Sequence, residues 1–318
     1  MVSKFSAEVA VILPVRNGGI FLDAAIGSIR DQTFSDLEIV VVDDGSTDNT
    51  AEIVAVHAAQ DERVTLLKTS GQGIVDTLNT GLAHTIAPLV ARMDADDVAE
   101  ASRIDLQRKA MMRKQDLVVL GSSASTIDSE GRFGAPIDMQ IDPDRIRHQL
   151  RTQNPILHPT AMIRNAALRK VGGYRGGFPH AEDYDLWLRL SREGPIGSLP
   201  DRLVRLRRHP NQTSRLHRLD QRAGAALARL RFFSPLAAAP ETGVAATNDP
   251  FTSYLTARVN SGVAIGESDW KEIALVLRAC QRRRTLGKKL RREIIAMLSD
   301  QLSVASLLSL RVKLLAHR

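Results

Sequence analysis

Leu89-Val90-Ala91-Arg92-Met93-Asp94-Ala95-Asp96-Asp97 is a strand-like run that passes without a break into three carboxylates. Adjacent acids repel one another unless a cation lies among them. Asp94 and Asp96, two apart in an extended segment, point the same way and could share one divalent ion. Hard oxygen ligands suit Mg²⁺ or Mn²⁺, ions that keep some of their waters and also bind phosphate oxygens. The stretch therefore reads as a diphosphate-binding metal site. Taken alone, it reads more readily as a solvated acidic turn with Asp97 capping a helix.

The first half of the chain alternates short β-branched runs with helical periodicity, the pattern of a mostly parallel sheet flanked by helices. Val9 to Leu13 reads as a buried strand, and Leu22, Ala25, Ile26 and Ile29 make one apolar helical stripe. Leu37 to Val42 is a second strand, closed by Asp43-Asp44-Gly45-Ser46-Thr47-Asp48 before a further helix. Val64 to Leu67 is a third strand, with a helix through Ile74, Leu78 and Leu82, and Leu89 to Met93 is the fourth. Acidic clusters thus stand at the carboxyl ends of two strands, the edge where open α/β sheets bind ligands. Leu117 to Leu120 reads as a fifth strand, and Gly121 to Pro143 as turns and edge strands. Glu182 to Arg192 reads as a helix burying Leu186, Trp187 and Leu190.

With 318 residues, 43% hydrophobic and 25% charged, the composition is that of a globular chain with a sizeable core. The net charge of +7 is concentrated: Trp270 to Arg318 holds twelve Lys or Arg against three Asp or Glu. Residues before it carry a slight acidic excess, which argues against a nucleic-acid-binding main domain. Lone Cys280 cannot form an internal disulfide. No apolar run approaches the length of a membrane span, and the start of the chain lacks a signal-peptide pattern, so a cytoplasmic location is expected.

Five motifs in order, Pro14-Val15-Arg16-Asn17, Val42-Asp43-Asp44-Gly45-Ser46, Asp94-Ala95-Asp96-Asp97, Gly172-Gly173-Tyr174 and Glu182-Asp183-Tyr184-Asp185-Leu186-Trp187, resemble family 2 glycosyltransferases. The resemblance spans roughly residues 8–215. It implies a GT-A fold, and inverting transfer of one sugar from a nucleotide diphosphate sugar, with UDP favoured, to a glycan or lipid-linked acceptor. It implies Mn²⁺ or Mg²⁺ as cofactor and bacterial surface polysaccharide assembly as setting. By the same resemblance Pro14, Arg16, Asn17, Asp43 and Asp44 wall the base and ribose pocket, and Gly73 belongs to a turn beside the nucleotide. Asp94 and Asp96, with Asp97 beside them, hold the metal, and Asp183 is the catalytic base. Glu182, at the same helix start, is an acceptor-side candidate. His158 is either a structural histidine or an acceptor-pocket residue, and Arg207 and His209 lie in a segment that can reach the diphosphate. The departure is Asp76, where many members carry a small residue or Arg.

The expected division is a catalytic domain over 1–217 and a helical, Ala-rich then basic region over 218–318. Arg282-Arg283-Arg284, Lys288-Lys289 and Arg291-Arg292 flank apolar residues, so this region either lies on an anionic membrane surface or packs as a solvated helical subdomain. A dinucleotide enzyme would need a glycine fingerprint after the first strand, which is missing. A sugar-phosphate nucleotidyltransferase would need a glycine-rich basic loop there, and a non-enzymatic binding protein would not need this set of acids. A processive synthase would add membrane helices and a Gln-x-x-Arg-Trp segment, neither of which is present.

Overall fold

Continuous aliphatic runs need cover on both faces, and β1 (Val9–Val15) and β2 (Leu37–Asp43) are buried at every position. In the computed structural model the described residues are 7–210, 212, 216–233, 251, 254–255 and 270–283. The helices α1 (Gly19–Arg30), α2 (Thr50–Gln60) and α3 (Ile74–His84) alternate with β1, β2, β3 (Val64–Lys68) and β4 (Leu89–Arg92). There follow β5 (Val98–Ala99), α4 (Arg103–Arg113), β6 (Val119–Ile127), β7 (Phe133–Ile137) and α5 (Pro143–Gln149). A 3₁₀ turn at His158–Thr160 leads to β8 (Met162–Arg164), α6 (Asn165–Lys170), α7 (Glu182–Leu190) and β9 (Ile196–Arg207). The last described helices are α8 (Arg218–Phe233) and α9 (Trp270–Arg283).

The strands form one sheet in the order β3-β2-β1-β4-β8-β6-β9-β5, with β7 on β6. β3, β2, β1 and β4 are mutually parallel. β8 runs antiparallel to both β4 and β6, and β6 pairs parallel with β9. This places the carboxyl ends of β1, β2 and β4 on one edge. The predicted stripe of α1 is buried as expected, with Leu22, Ala25, Ile26 and Ile29 all covered. α3 lies close on β1: a methyl group at Gly81 would stand 2.7 Å from Ile12 Cγ2.

The structure differs from expectation between residues 121 and 143. Gly121 to Ile127, read as part of a stretch of turns and edge strands, continue the central strand β6, and eight of its nine residues are buried. Small residues are needed there: a Cβ at Gly121 would lie 3.2 Å from Ile156 Cδ1 and 3.3 Å from Ser198 Oγ. The twelve-residue β9 carries Asp201, Arg202, Arg205 and Arg207 and showed no strand periodicity.

The described residues divide into two units. One holds the residues up to Arg175 with Leu186–Gln212, and the other holds Gly176–Asp185 with the described residues from Leu216 onward. The first contains the whole sheet, and Leu186, Trp187 and Leu190 are fully buried as the sequence predicted. In the second, Ala223, Ala226, Leu227 and Leu230 of α8 and Ile273, Val276, Leu277 and Cys280 of α9 are buried. Arg229 and Glu272 join the two helices through a bidentate pair at 2.9 and 2.6 Å. The basic runs Lys288-Lys289 and Arg291-Arg292, Arg284 and the Ala-rich segment after Phe233 lie outside the described residues. Among the described residues no helix is long and apolar enough to cross a membrane.

Candidate active site

At the carboxyl end of β1, Pro14 is buried, and Arg16 and Asn17 are exposed. Asn17 adopts the left-handed conformation (φ 54°), which asparagine tolerates better than most residues. Its amide nitrogen donates to Ser46 Oγ at 2.8 Å and its Oδ1 accepts from Thr47 N at 2.9 Å, so the β1 and β2 loops are laced together. The start of α1 is also occupied: Gly18 N donates to Thr50 Oγ1 at 3.0 Å and Gly19 N to Asp48 Oδ2 at 3.1 Å. In a dinucleotide fold those amides would face a pyrophosphate. Here the chain's own side chains take them.

The two carboxylates that close β2 have different duties. Asp44 Oδ1 accepts from Thr69 Oγ1 at 2.6 Å and Gln72 N at 3.0 Å, and its Oδ2 accepts from Gly73 N at 3.0 Å. Burial alone would raise its pKa, but these bonds outweigh it and hold the carboxyl below the usual range. Asp44 therefore fixes the Gly71-Gln72-Gly73 turn, and Gly73, at φ 98°, takes a conformation that favours glycine. Asp43 is buried and accepts Ser46 N at 2.9 Å through Oδ1.

The acidic loop after β4 is an assembled cluster. Asp94, Asp96 and Asp97 each bring a carboxylate oxygen within 4.8 Å of the others. Each is also tied to the protein through one oxygen. Asp94 Oδ1 pairs with Arg92 Nη2, Asp96 Oδ2 lies 2.9 Å from His209 Nε2, and Asp97 Oδ1 accepts Arg207 N at 2.8 Å. Asp97 is buried and is not a helix cap, since α4 is preceded by Ser102. Burial pushes the Asp94 carboxyl up, with Arg92 opposing. Burial and the Asp94 and Asp96 charges push Asp97 well up. Hard oxygen donors gathered at mutual electrostatic cost are the donor set that suits a divalent ion such as Mg²⁺ or Mn²⁺.

Arg207 braces this loop. Its Nε donates to Asp96 O at 2.9 Å and its Nη1 to Asp128 O at 3.0 Å, and the guanidinium sits 4.5 Å over the Phe21 ring. The His209 ring is 5.3 Å from the same ring. Beneath the loop, buried Arg103 donates through Nη2 to Arg92 O at 2.7 Å and through Nε to Gln107 Oε1 at 3.1 Å. Burial, with the Arg92 charge beside it, brings Arg103 down to about 9, so it remains a cation at neutral pH.

His158 lies behind this group. Its Nε2 is 2.8 Å from Tyr174 Oη and its ring meets Trp187 edge-on at 5.8 Å. Burial and the Arg92 charge push its pKa well down, so the imidazole is neutral. Glu182 and Asp183 open α7 and belong to the second unit. Asp183 Oδ1 accepts the next residue's amide, Tyr184 N, at 2.7 Å. A carboxylate at a helix start is favoured in its ionised form by the helix dipole.

The structure thus gathers Asp94, Asp96, Asp97, Arg207 and His209, and separately Pro14, Arg16, Asn17, Asp43, Asp44 and Gly73. Sequence reasoning missed Arg92, whose signal was a lone charge inside the otherwise apolar run Leu89 to Met93.

Residues 10–172, just over half of the chain, match the family model described as glycosyl transferase family 2. The chain belongs to glycosyl transferase family 2. A relative in this family, an uncharacterized glycosyltransferase of Haemophilus influenzae, is 30% identical over 223 residues, covering 67% of this chain and 69% of that protein. The O-antigen biosynthesis glycosyltransferase WbnJ of Escherichia coli is 30% identical over 211 residues, covering 65% and 82%. The amylovoran biosynthesis glycosyltransferase AmsE of Erwinia amylovora is 29% identical over 188 residues, covering 58% and 70%. Among solved structures, S. aureus TarS 1-349 in complex with UDP-GlcNAc superposes with a TM-score of 0.60 at 17% identity, covering 96% of this chain and 88% of that one. The mannosyltransferase PcManGT of Pyrobaculum calidifontis, in complex with GDP-Man and Mn²⁺, gives 0.54 at 19% identity, covering 100% and 84%. The family 2 domain has the expected GT-A fold, and the protein is a glycosyltransferase.

Proposed function

We propose that this glycosyltransferase moves one sugar, with inversion, from a nucleoside diphosphate sugar to a hydroxyl of a glycan or lipid-linked saccharide during bacterial surface polysaccharide synthesis. The observation that carries the reading is the convergence of Asp94, Asp96 and Asp97 at the end of β4. In that reading the three acids hold Mn²⁺ or Mg²⁺, which when bound neutralises the charge of the departing nucleoside diphosphate. Asp43, whose Oδ2 is not committed to the Ser46 turn, accepts the ring N–H of the base, a pairing that favours uracil. Asp183 takes the proton of the attacking hydroxyl, the one base that direct displacement at an anomeric carbon requires. The UDP-GlcNAc complex of TarS and the GDP-Man complex of PcManGT support a nucleotide-sugar donor, and the names of WbnJ and AmsE support the polysaccharide setting. In this reading the protein works at the cytoplasmic face of the membrane, held there by its basic C-terminal residues.

The test is nucleoside diphosphate release from a panel of nucleotide sugars with Mn²⁺ or Mg²⁺, in wild type and Asp96→Ala. Slow hydrolysis of one donor, abolished by chelator and by Asp96→Ala, is the expected result. Failure of every nucleoside diphosphate to shift the melting temperature in the presence of Mn²⁺ would overturn the reading.

A further inference from the structure

Arg92 closes β4 and points to the face opposite Ala91, which belongs to the main core. Only 6% of it is exposed. Its Nη2 pairs with Asp94 Oδ1, while its Nε and Nη1 are buried without a hydrogen-bond partner. The anions beside it are Asp94 and Asp97 of the acidic loop, while His158 is held neutral and engaged with Tyr174, and Arg103 is a second cation bonded to Arg92's own carbonyl. A buried guanidinium with unsatisfied donors is a poor stabilising device, and an apolar side chain of similar volume would pack there at least as well. What an apolar side chain could not do is orient Asp94.

We propose that Arg92 is the positioning residue of the acidic loop. Its ion pair takes Oδ1 of Asp94, fixes the orientation of that carboxylate beside Asp96 and Asp97, and keeps this charged strand end assembled before an ion arrives. The other two acids are held differently, Asp96 by an imidazole and Asp97 by a backbone amide, so Arg92 is the cation that organises the first ligand position. The inference rests on the metal-dependent reading above.

The experiment is a Mn²⁺ titration followed by electron paramagnetic resonance, with UDP present, on full-length wild type, Arg92→Lys and Arg92→Met, beside thermal melts. Outer-sphere supports of this kind change metal affinity by about 10- to 100-fold. Arg92→Met is expected to weaken Mn²⁺ binding within that range and to raise the Mn²⁺ concentration for half-maximal donor hydrolysis, with most of kcat recovered at saturating Mn²⁺. Arg92→Lys, which keeps the charge and loses the planar fork, is expected to fall between the two. Mn²⁺ affinity within about twofold of wild type in a folded Arg92→Met would overturn the proposal, leaving the metal reading in place. Should Arg92→Met fail to fold, unchanged affinity in Arg92→Lys overturns it instead. A wild type that binds no Mn²⁺ with UDP would remove the metal reading itself.

Discussion

His209 Nε2 lies 2.9 Å from Asp96 Oδ2, joining the chain beyond β9 to the acidic loop 113 residues earlier. A carboxylate only accepts, so Nε2 carries the hydrogen and His209 orients Asp96. His209→Ala is expected to raise the Mn²⁺ needed for half-maximal donor hydrolysis by about tenfold. A donor KM that rises at saturating Mn²⁺, with Mn²⁺ dependence unchanged, would instead place His209 on the diphosphate.

Asp183→Asn keeps the shape of the helix start and removes the proton acceptor. Transfer to a saccharide acceptor is expected to fall by about 10²- to 10⁴-fold in kcat. UDP binding, read by thermal shift with Mn²⁺, is expected to stay as in wild type. Retained kcat would exclude Asp183 as the base.

Acid stability is expected to depend on Asp61. Arg63 donates to it through Nε at 3.0 Å and Nη2 at 2.8 Å, Arg30 joins at 3.3 Å, and together they hold its carboxyl down at about 2. The folded value lies below the unfolded one, near 4. The stability linked to Asp61 is therefore fully present above about pH 4 and disappears as pH falls toward about 2. Denaturant midpoints of wild type and Asp61→Asn should differ most at pH 6 and draw together as pH falls toward about 2. A gap that does not narrow would contradict the assignment.

Gly81→Ala sets two effects against each other. Alanine is the better helix former by about 1 kcal/mol. Its methyl, however, would meet Ile12 Cγ2 at 2.7 Å and Val42 Cγ2 at 3.3 Å, and overpacking costs about 1–3 kcal/mol. A net loss of about 1 kcal/mol is expected in urea denaturation. A stabilised variant would mean that the sheet yields to α3 at no cost.

The basic C-terminal residues are expected to bind anionic vesicles. Each Lys or Arg at such a surface contributes about 1 kcal/mol. Replacing Lys288, Lys289, Arg291 and Arg292 with Gln should weaken co-sedimentation with phosphatidylglycerol vesicles by at least about tenfold. Equal binding by both proteins would leave these charges a solvated role only.

Much of this protein is legible locally. β1, β2 and β4 announce themselves as aliphatic runs, α1 as one apolar stripe, and the acids after β4 as a strand-end cluster, because periodicity and turn chemistry act over a few residues. Gly121 to Ile127 and β9 were not legible. Their Gly, Ser and Arg content resembles loop, and only the close approach of Ile156 and of Ser198 in β9 to Gly121 explains why a small residue stands in a central strand there. The site divides the same way. Local strand and turn chemistry places these carboxylates at the carboxyl edge of the sheet. Their duties come from long-range packing: Asp44 is consumed by the turn at Gly73, Asp96 is held by His209, Asp97 by the amide of Arg207, and Asp94 by Arg92. Most of those partners lie 29 to 113 residues away, and chain-distant hydrogen bonds leave no periodic trace for a sequence to display.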